Sequence, residues 1–326
     1  MTNYYKNVFI NATATTTGPT ESNGPLSKYY DKSHKDYYMG APTFEQGEIK
    51  MITENIDILK SKTKNKPTLF ISGDLSNQLT ASNYAATNIL LPYMGIYNAC
   101  ATSVEGLMIA SSLIESEHAN NIIVNVSSHN NTAEKTFRYP TEYGGPKKLT
   151  STFTTTGSAA ALVSNIKEGI KIESATIGLP LDSGIKDVSY MGAVMAYAAV
   201  DTIHKHLIET KREIEYYDLI LTGDLGLYGK KIFKECLKKE YNYETKNIED
   251  SACLIFDIEN QQVYSGGSGP ACLPLVTYSF IFDEMKNNRL KKVLLIATGA
   301  LMSPATVNQK MSIPAIAHAL SLEVIE

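Results

Sequence analysis

Tryptophan is absent, the chain holds only six histidines, and its four cysteines stand far apart. Each scarcity excludes something. Cys100, Cys236, Cys253 and Cys272 show no C-x-x-C spacing, so neither a zinc ribbon nor a thioredoxin-type redox motif is present. They read as free thiols of a reducing compartment. Of the histidines only His204 and His206 are close neighbours, and two positions apart on a predicted helix they diverge, which argues against zinc. Apolar runs stop at residues 191–200 and 292–302, far short of a bilayer span, and no charged–apolar–small leader pattern opens the chain. The expectation is a soluble chain with no transmembrane segment or signal peptide, which reaches any membrane through other subunits. Basic blocks are missing too. With a net charge of −4 the chain offers no footprint for nucleic acid.

What is present is an ordinary globular composition, 43% apolar and 20% charged over 326 residues, enough for a large core. Residues 8–10 read as a strand, followed by a Thr-rich, turn-rich surface excursion whose Tyr29, Tyr30, Tyr37 and Tyr38 can dock on a core. Residues 43–59 carry a helical face, with Thr43 and Gln46 as a capping box. The run Leu-Phe-Ile-Ser-Gly-Asp-Leu (69–75) then recurs as Leu-Ile-Leu-Thr-Gly-Asp-Leu (219–225). A second pair follows in the same order. Tyr97-Asn98-Ala99-Cys100 opens a helix near 103–117 and a strand at 121–127. Tyr264-Ser265-Gly266-Gly267 opens a helix near 274–285 and a strand at 293–298. Two matched units in one order indicate an internal duplication. Strands alternating with helices predict parallel sheets covered on both faces, in two βαβ-rich halves, 1–165 and 166–326, forming one integrated body.

Ligands of such sheets sit beyond the carboxyl ends of the strands, where Asp74, Cys100, His129, Asp224 and the turn 266–269 all fall. Cys100 at a helix start suits a nucleophile, or equally a small buried side chain. A thiolate catalyst needs a base, and the candidates are His129, which otherwise reads as a loop cap, and His318, which otherwise reads as core or surface. Phe-Arg-Tyr-Pro-Thr-Glu-Tyr-Gly-Gly (137–145) suggests a rigid loop presenting Arg138 and Tyr143 to a carboxylate, or an interface. Gly266, Gly267 and Ser268 could form an anion nest or a close chain crossing. Asp74 and Asp224 read as helix caps, or as a pair holding a hard cation.

The cysteine elbow in a duplicated βαβ frame resembles the thiolase superfamily, including the β-ketoacyl synthases. Asn-Ala-Cys-x-Thr-Ser-x-Glu (98–105), Ser-Ser-His-Asn-x-Thr-Ala-Glu (127–134), the 137–145 run and Ala-Thr-Gly-Ala-Leu-Met-Ser-Pro (297–304) narrow the likeness to the stage V sporulation protein AD family. That resemblance implies a thiolase-like, five-layered αβαβα fold and binding of dipicolinic acid (pyridine-2,6-dicarboxylate), held in spores as its Ca²⁺ chelate. It also implies a peripheral place at the forespore and spore inner membrane. The partners there would be membrane-embedded proteins of the same sporulation operon, and thiolase relatives commonly form homodimers. Synthases of type III carry a His after the strand corresponding to residues 219–222 and an Asn in the turn corresponding to 266–269. Here Gly223-Asp224 and Gly267-Ser268 stand in those places, and losing such groups costs about 10²–10⁴-fold each. The expectation is therefore a degenerate active site, not an enzyme and without cofactor or bound metal of its own. Cys100, His129, Arg138, Tyr143, Asp74, Asp224, Gly266, Gly267 and Ser268 would surround dipicolinate for its uptake into the developing spore and release at germination. The rival expectation is a Cys100-dependent acyl-transfer enzyme.

Overall fold

The structure, a computed structural model, describes residues 1–325. Ten strands form its frame: β1 (Phe9–Thr17), β2 (Leu69–Gly73), β3 (Tyr93–Gly95), β4 (Asn121–Ser128), β5 (Gly157–Ser164), β6 (Ile170–Ile177), β7 (Leu219–Thr222), β8 (Ile248–Asp250), β9 (Lys292–Ala300) and β10 (Ala315–Val324). Their order is β3-β2-β4-β5-β1 in the first half and β8-β7-β9-β10-β6 in the second. The pairing senses match strand for strand. In each half the first strand runs antiparallel to the fifth, the fifth antiparallel to the fourth, and the fourth, second and third are mutually parallel. The halves join where Phe9 and Ile10 pair antiparallel with Lys171 and Ile170.

Period-two alternation sorts the strand side chains into layers. Ile71, Ile122 and Val124 from the first sheet, with Leu219, Leu221, Val293 and Leu295 from the second, enter one shared core. Between the sheets lie α3 (Thr102–Glu115) and a helical run over residues 272–286, whose middle turn Thr277–Ile281 is a π-helix. The opposite faces bury Phe70 and Ile123 under α1 (Phe44–Ser61) and α2 (Thr80–Ile89). On the other side Ile220, Leu294 and Ile296 lie under α5 (Met191–Thr210) and α6 (Gly226–Tyr241). The result is the αβαβα sequence of layers. Near-continuous apolar strands such as Leu-Ile-Leu-Thr follow from burial on both faces.

Two expectations are corrected here. The sheets are mixed and not purely parallel, because the last strand of each half, β5 or β10, inserts antiparallel between two others. The Thr-rich residues 13–17 do not belong to a surface excursion but continue β1, with Thr15, Thr16 and Thr17 fully buried. β-Branched threonine suits a strand, and neighbouring side chains supply its hydroxyls: Asp31 accepts from Thr15 and Asn55 Oδ1 from Thr16. The excursion starts afterwards, and Tyr29 packs at a tilt against Phe280 while Tyr38 stacks on Phe44.

Candidate functional site

The elbow leading into α3 is closed by its own side chains. Thr102 Oγ1 accepts from the Asn98 amide at 2.9 Å and donates to the Ala99 carbonyl at 2.6 Å. Ala99 takes φ +50°, a left-handed conformation that a non-glycine residue adopts only under constraint. At the matching place before the 272–286 run stands Gly269, with φ +99°. The Asn98 side-chain amide lies 2.8 Å from His318 Nε2, and Gly178 N–H donates to His318 Nδ1. Nε2 must then carry the proton, so the Asn98 amide presents its oxygen. This pair ties the elbow to β10.

Cys100 and Asp224 meet beyond the strand ends, in one half-open cavity of about 60 Å³. Arg138, Glu134, Ser268 and Gly269 contribute its other polar walls, and Phe137, Met191, Met195 and Met302 its apolar ones. Asp224 is free to turn inward because another carboxylate caps the helix beside it. Asp250 accepts from Leu225 N–H, Gly226 N–H and Thr222 Oγ1. Asp224 Oδ1 accepts from Thr298 Oγ1 at 2.6 Å, and its other oxygen receives a long 3.4 Å contact from Gly269 N–H. Burial pushes its carboxyl up to about 7, against hydrogen bonds from Cys100 and Thr298 that pull it down. Burial first, then the Asp224 charge, pushes the Cys100 thiol well above its ordinary range. A helix start alone would lower it; here burial, with the neighbouring carboxylate second, overrides the helix.

Arg138 does line the cavity, but it is already held. Its Nη1 donates to Glu134 Oε1 at 2.8 Å and to the Thr152 carbonyl at 3.3 Å, leaving Nε without a partner. Lys147 Nζ lies 3.0 Å from the other oxygen of Glu134, which is only 2% exposed. Glu134, Phe137 and Arg138 sit on and just after α4 (Asn130–Phe137), and their i, i+3, i+4 spacing puts them on one face. Glu134 was missed from sequence, although that spacing to Arg138 was available as a signal.

The remaining expected site residues fall outside the cavity walls. His129 is buried with its Nε2–H donating to the Tyr37 carbonyl at 2.7 Å, packed between Tyr37 and Phe44, and burial drops it to about 4. His318 is likewise held near 4 by burial, and neither imidazole lines the cavity beside Cys100. Asp74 is spent as a cap, accepting from Ser76 N–H at 2.7 Å, Ser82 N–H at 2.8 Å and the Ser76 hydroxyl. It forms no cation pair with Asp224, and among the described residues no group of three His, Cys, Asp or Glu is arranged for a metal. Tyr143 is 74% exposed and leans on Tyr139 instead. Gly266 and Gly267 serve chain crossing: a Cβ on Gly266 would lie 2.5 Å from the Ala252 carbonyl oxygen, and Gly267 pairs with Phe153.

The buried ionisable groups give a signed pH dependence. Asp224, Glu21 and Glu48 are raised by burial to about 7, 8 and 8, so the folded state holds protons that the unfolded chain has lost above about 4.5. Their contribution is complete below the ordinary carboxyl range and disappears as pH rises through 7–8. His129, His206 and His318, each lowered to about 4, contribute fully above 6.5 and lose that as pH falls towards 4. The slopes oppose each other between about 4.5 and 6.5, and only the carboxyls act above. Thermal melts should therefore show a near-plateau from pH 4.5 to 6.5 and a fall from 6.5 to 8.5. Glu48→Gln should flatten that fall; an unchanged slope would remove Glu48 from the account.

Comparison with known proteins agrees with this geometry. A family model described as stage V sporulation protein AD matches residues 2–323. Stage V sporulation protein AD of Bacillus subtilis (strain 168) is 41% identical over 319 residues, 97% of this chain and 94% of the relative. Among solved structures, 3-oxoacyl-[acyl-carrier-protein] synthase III of Aquifex aeolicus VF5 superposes with a TM-score of 0.60 at 14% identity, covering 97% of this chain and 100% of the other. A variant of OleA of Xanthomonas campestris gives 0.62 at 13% identity, covering 98% of each. The likeness to these two is one of fold, the thiolase and ketoacyl-synthase type.

Proposed function

The chain belongs to the stage V sporulation protein AD family, and on that premise we propose that its cavity binds dipicolinic acid without transforming it. The carrying observation is Asp224. With Gly223 it stands in the stretch that, by the resemblance to the synthases, corresponds to their histidine, and it is bonded to Thr298 and beside Cys100, with no imidazole among the described residues of the cavity wall. A carboxyl that keeps the adjacent thiol protonated works against thiolate attack. A π-surface bearing two carboxylates finds complementary features here. Phe137 and three methionines offer an apolar slot, the free Nε of Arg138 offers positive charge, with Lys147 behind it on Glu134, and Gly269 offers an N–H.

Charge balance favours the Ca²⁺ chelate over the free dianion. Glu134 already neutralises one of the two cations, and Asp224 adds negative charge wherever it ionises. The free volume accommodates about four to six waters, so a ring of this size enters only if Met191, Met195 and Met302 repack, which flexible thioethers do at low cost. Uptake and release would proceed at the forespore and spore inner membrane, with membrane-embedded proteins of the same operon supplying the passage. No described helix is long and apolar enough to cross a membrane. A homodimer through the edge strand β3 fits the exposure of Tyr84, Leu90, Met94 and Tyr97 along that side.

Titration calorimetry with dipicolinate, with and without Ca²⁺, tests the reading. Binding should be tighter with Ca²⁺, and Arg138→Ala should weaken it about 10–100-fold, the worth of a charge-assisted hydrogen bond. Wild-type affinity in that variant would take Arg138 out of the site. Rapid iodoacetamide labelling of Cys100 together with a trapped acyl-enzyme would instead establish the acyl-transfer reading.

A further inference from the structure

A cluster of five lysines lies at the other end of the sheets. Lys6, Lys167, Lys171, Lys291 and Lys292 converge on a groove of about 470 Å³, floored by Phe9, Val324 and Ile325. Its position follows from topology. Lys6 and Lys167 precede β1 and β6, the paired first strands of the two halves, while Lys291 and Lys292 stand at the start of β9. Eight residues along β9 from Lys292, Ala300 lines the Cys100 cavity, so the two sites are roughly 26 Å apart on opposite poles.

The lysines are not there to balance acids. Several other lysines of the surface are ion-paired, as with Lys62–Asp31, Lys148–Asp187 and Lys230–Glu249. Among the described residues none of these five forms an ion pair. Glu323, the one acid lining the groove, accepts from Tyr216 Oη at 3.0 Å, and Asp218 beside it is occupied by the backbone N–H groups of Lys291 and Lys292. Lys292 Nζ sits 3.9 Å above the Tyr216 ring, held in place without being neutralised. Elsewhere the chain is acidic: with the five set aside, 25 basic residues face 34 acidic ones, a net charge of −9.

We propose that this groove docks the protein directly on an anionic phospholipid bilayer, with headgroup phosphates entering between the lysines. The residue types select the partner. Arginine is the side chain for bidentate capture of fixed carboxylates, and the groove has none; flexible ammonium point charges suit a diffuse field of phosphates. That disfavours an acidic peptide. A long nucleic acid would run past the groove onto surface carrying the −9, whereas a planar bilayer touches one pole only. The remaining negative surface then orients the molecule, with the cavity mouth turned away from the lipid contact. The inference is independent of what the Cys100 cavity binds.

Co-sedimentation of the full chain with vesicles tests it. Vesicles of phosphatidylcholine containing about one third phosphatidylglycerol should retain the protein, and pure phosphatidylcholine should not. Lys167→Gln/Lys291→Gln should lower the partition coefficient about 30-fold, and raising the salt to about 0.5 M should do the same to wild type. Lys238→Gln/Lys239→Gln, an equal loss of charge on α6, should change little. Melting temperature and circular dichroism of the groove variant report that it is folded. Equal retention by both vesicle types, or equal loss in the α6 control, overturns the proposal. So does a poly-glutamate peptide or an oligonucleotide that binds through the same lysines while the vesicles do not.

Discussion

Gly192→Val is expected to destabilise the protein by about 3 kcal/mol and to abolish dipicolinate binding. A glycine inside a helix costs up to about 1 kcal/mol relative to alanine, so a side chain there would ordinarily help. Gly192 is held in place by contact instead. A Cβ would lie 2.0 Å from the Leu225 carbonyl oxygen, and one on Gly229 would lie 2.7 Å from the Gly192 backbone. Helices α5 and α6 therefore touch backbone to backbone at their first turns. The same turns set the site, because Met191 and Met195 project from α5 while Asp224 immediately precedes α6. Pushing the helices apart moves Asp224 relative to Cys100. Chemical denaturation and calorimetry measure the two effects; a stabilised variant with intact binding would disprove the contact.

Glu134→Gln should separate stability from affinity in opposite directions. Removing the charge leaves Arg138 and Lys147 facing each other across a site where Glu134 is 2% exposed. Breaking a buried pair costs about 3–5 kcal/mol, and the partial exposure of both cations places the expected loss at roughly 2–3 kcal/mol. The freed guanidinium then regains its full fork for a ligand carboxylate, so affinity for free dipicolinate should rise about tenfold, and its dependence on Ca²⁺ should shrink. Denaturant unfolding and titration with and without Ca²⁺ give the readouts. A loss of affinity would mean that Glu134 contacts the ligand or its cation instead of restraining Arg138.

What could be read from the sequence was local and repeated. The runs 69–75 and 219–225 became β2 and β7 at equivalent places, and Asn98-Ala99-Cys100 became an elbow facing the cavity. The same words did not share a fate. Asp74 and Asp224 follow matching strand endings, yet Asp74 caps α2 while Asp224 enters the cavity, since Asp250, distant in sequence, does the capping on its side. No local pattern announces that substitution. His129 misled for a related reason: its position after a strand was right, but Tyr37, 92 residues away, takes its proton donor. Arg138 lay on the cavity wall as its loop suggested, while the Glu134 that restrains it was overlooked in plain view. Thr13 to Thr17 read as surface because threonine is polar, although five in-line small or β-branched residues also make a buried strand.

The duplicated strand order has a consequence for how the chain is made. Each sheet is completed by its own last strand: β1 stays unpaired on one side until β5 has been synthesised, and the first sheet is whole once residue 164 has emerged. The cavity waits for Asp224, Ser268 and finally Met302. At about 5–20 residues per second, that interval lasts roughly 7–28 s on the ribosome. Throughout it α3, whose apolar face is finally shared with the second sheet, has nothing to cover that face. A nascent chain paused before β9 would thus present an assembled first half with sticky apolar surface, the state in which chaperones or a second nascent copy would find it.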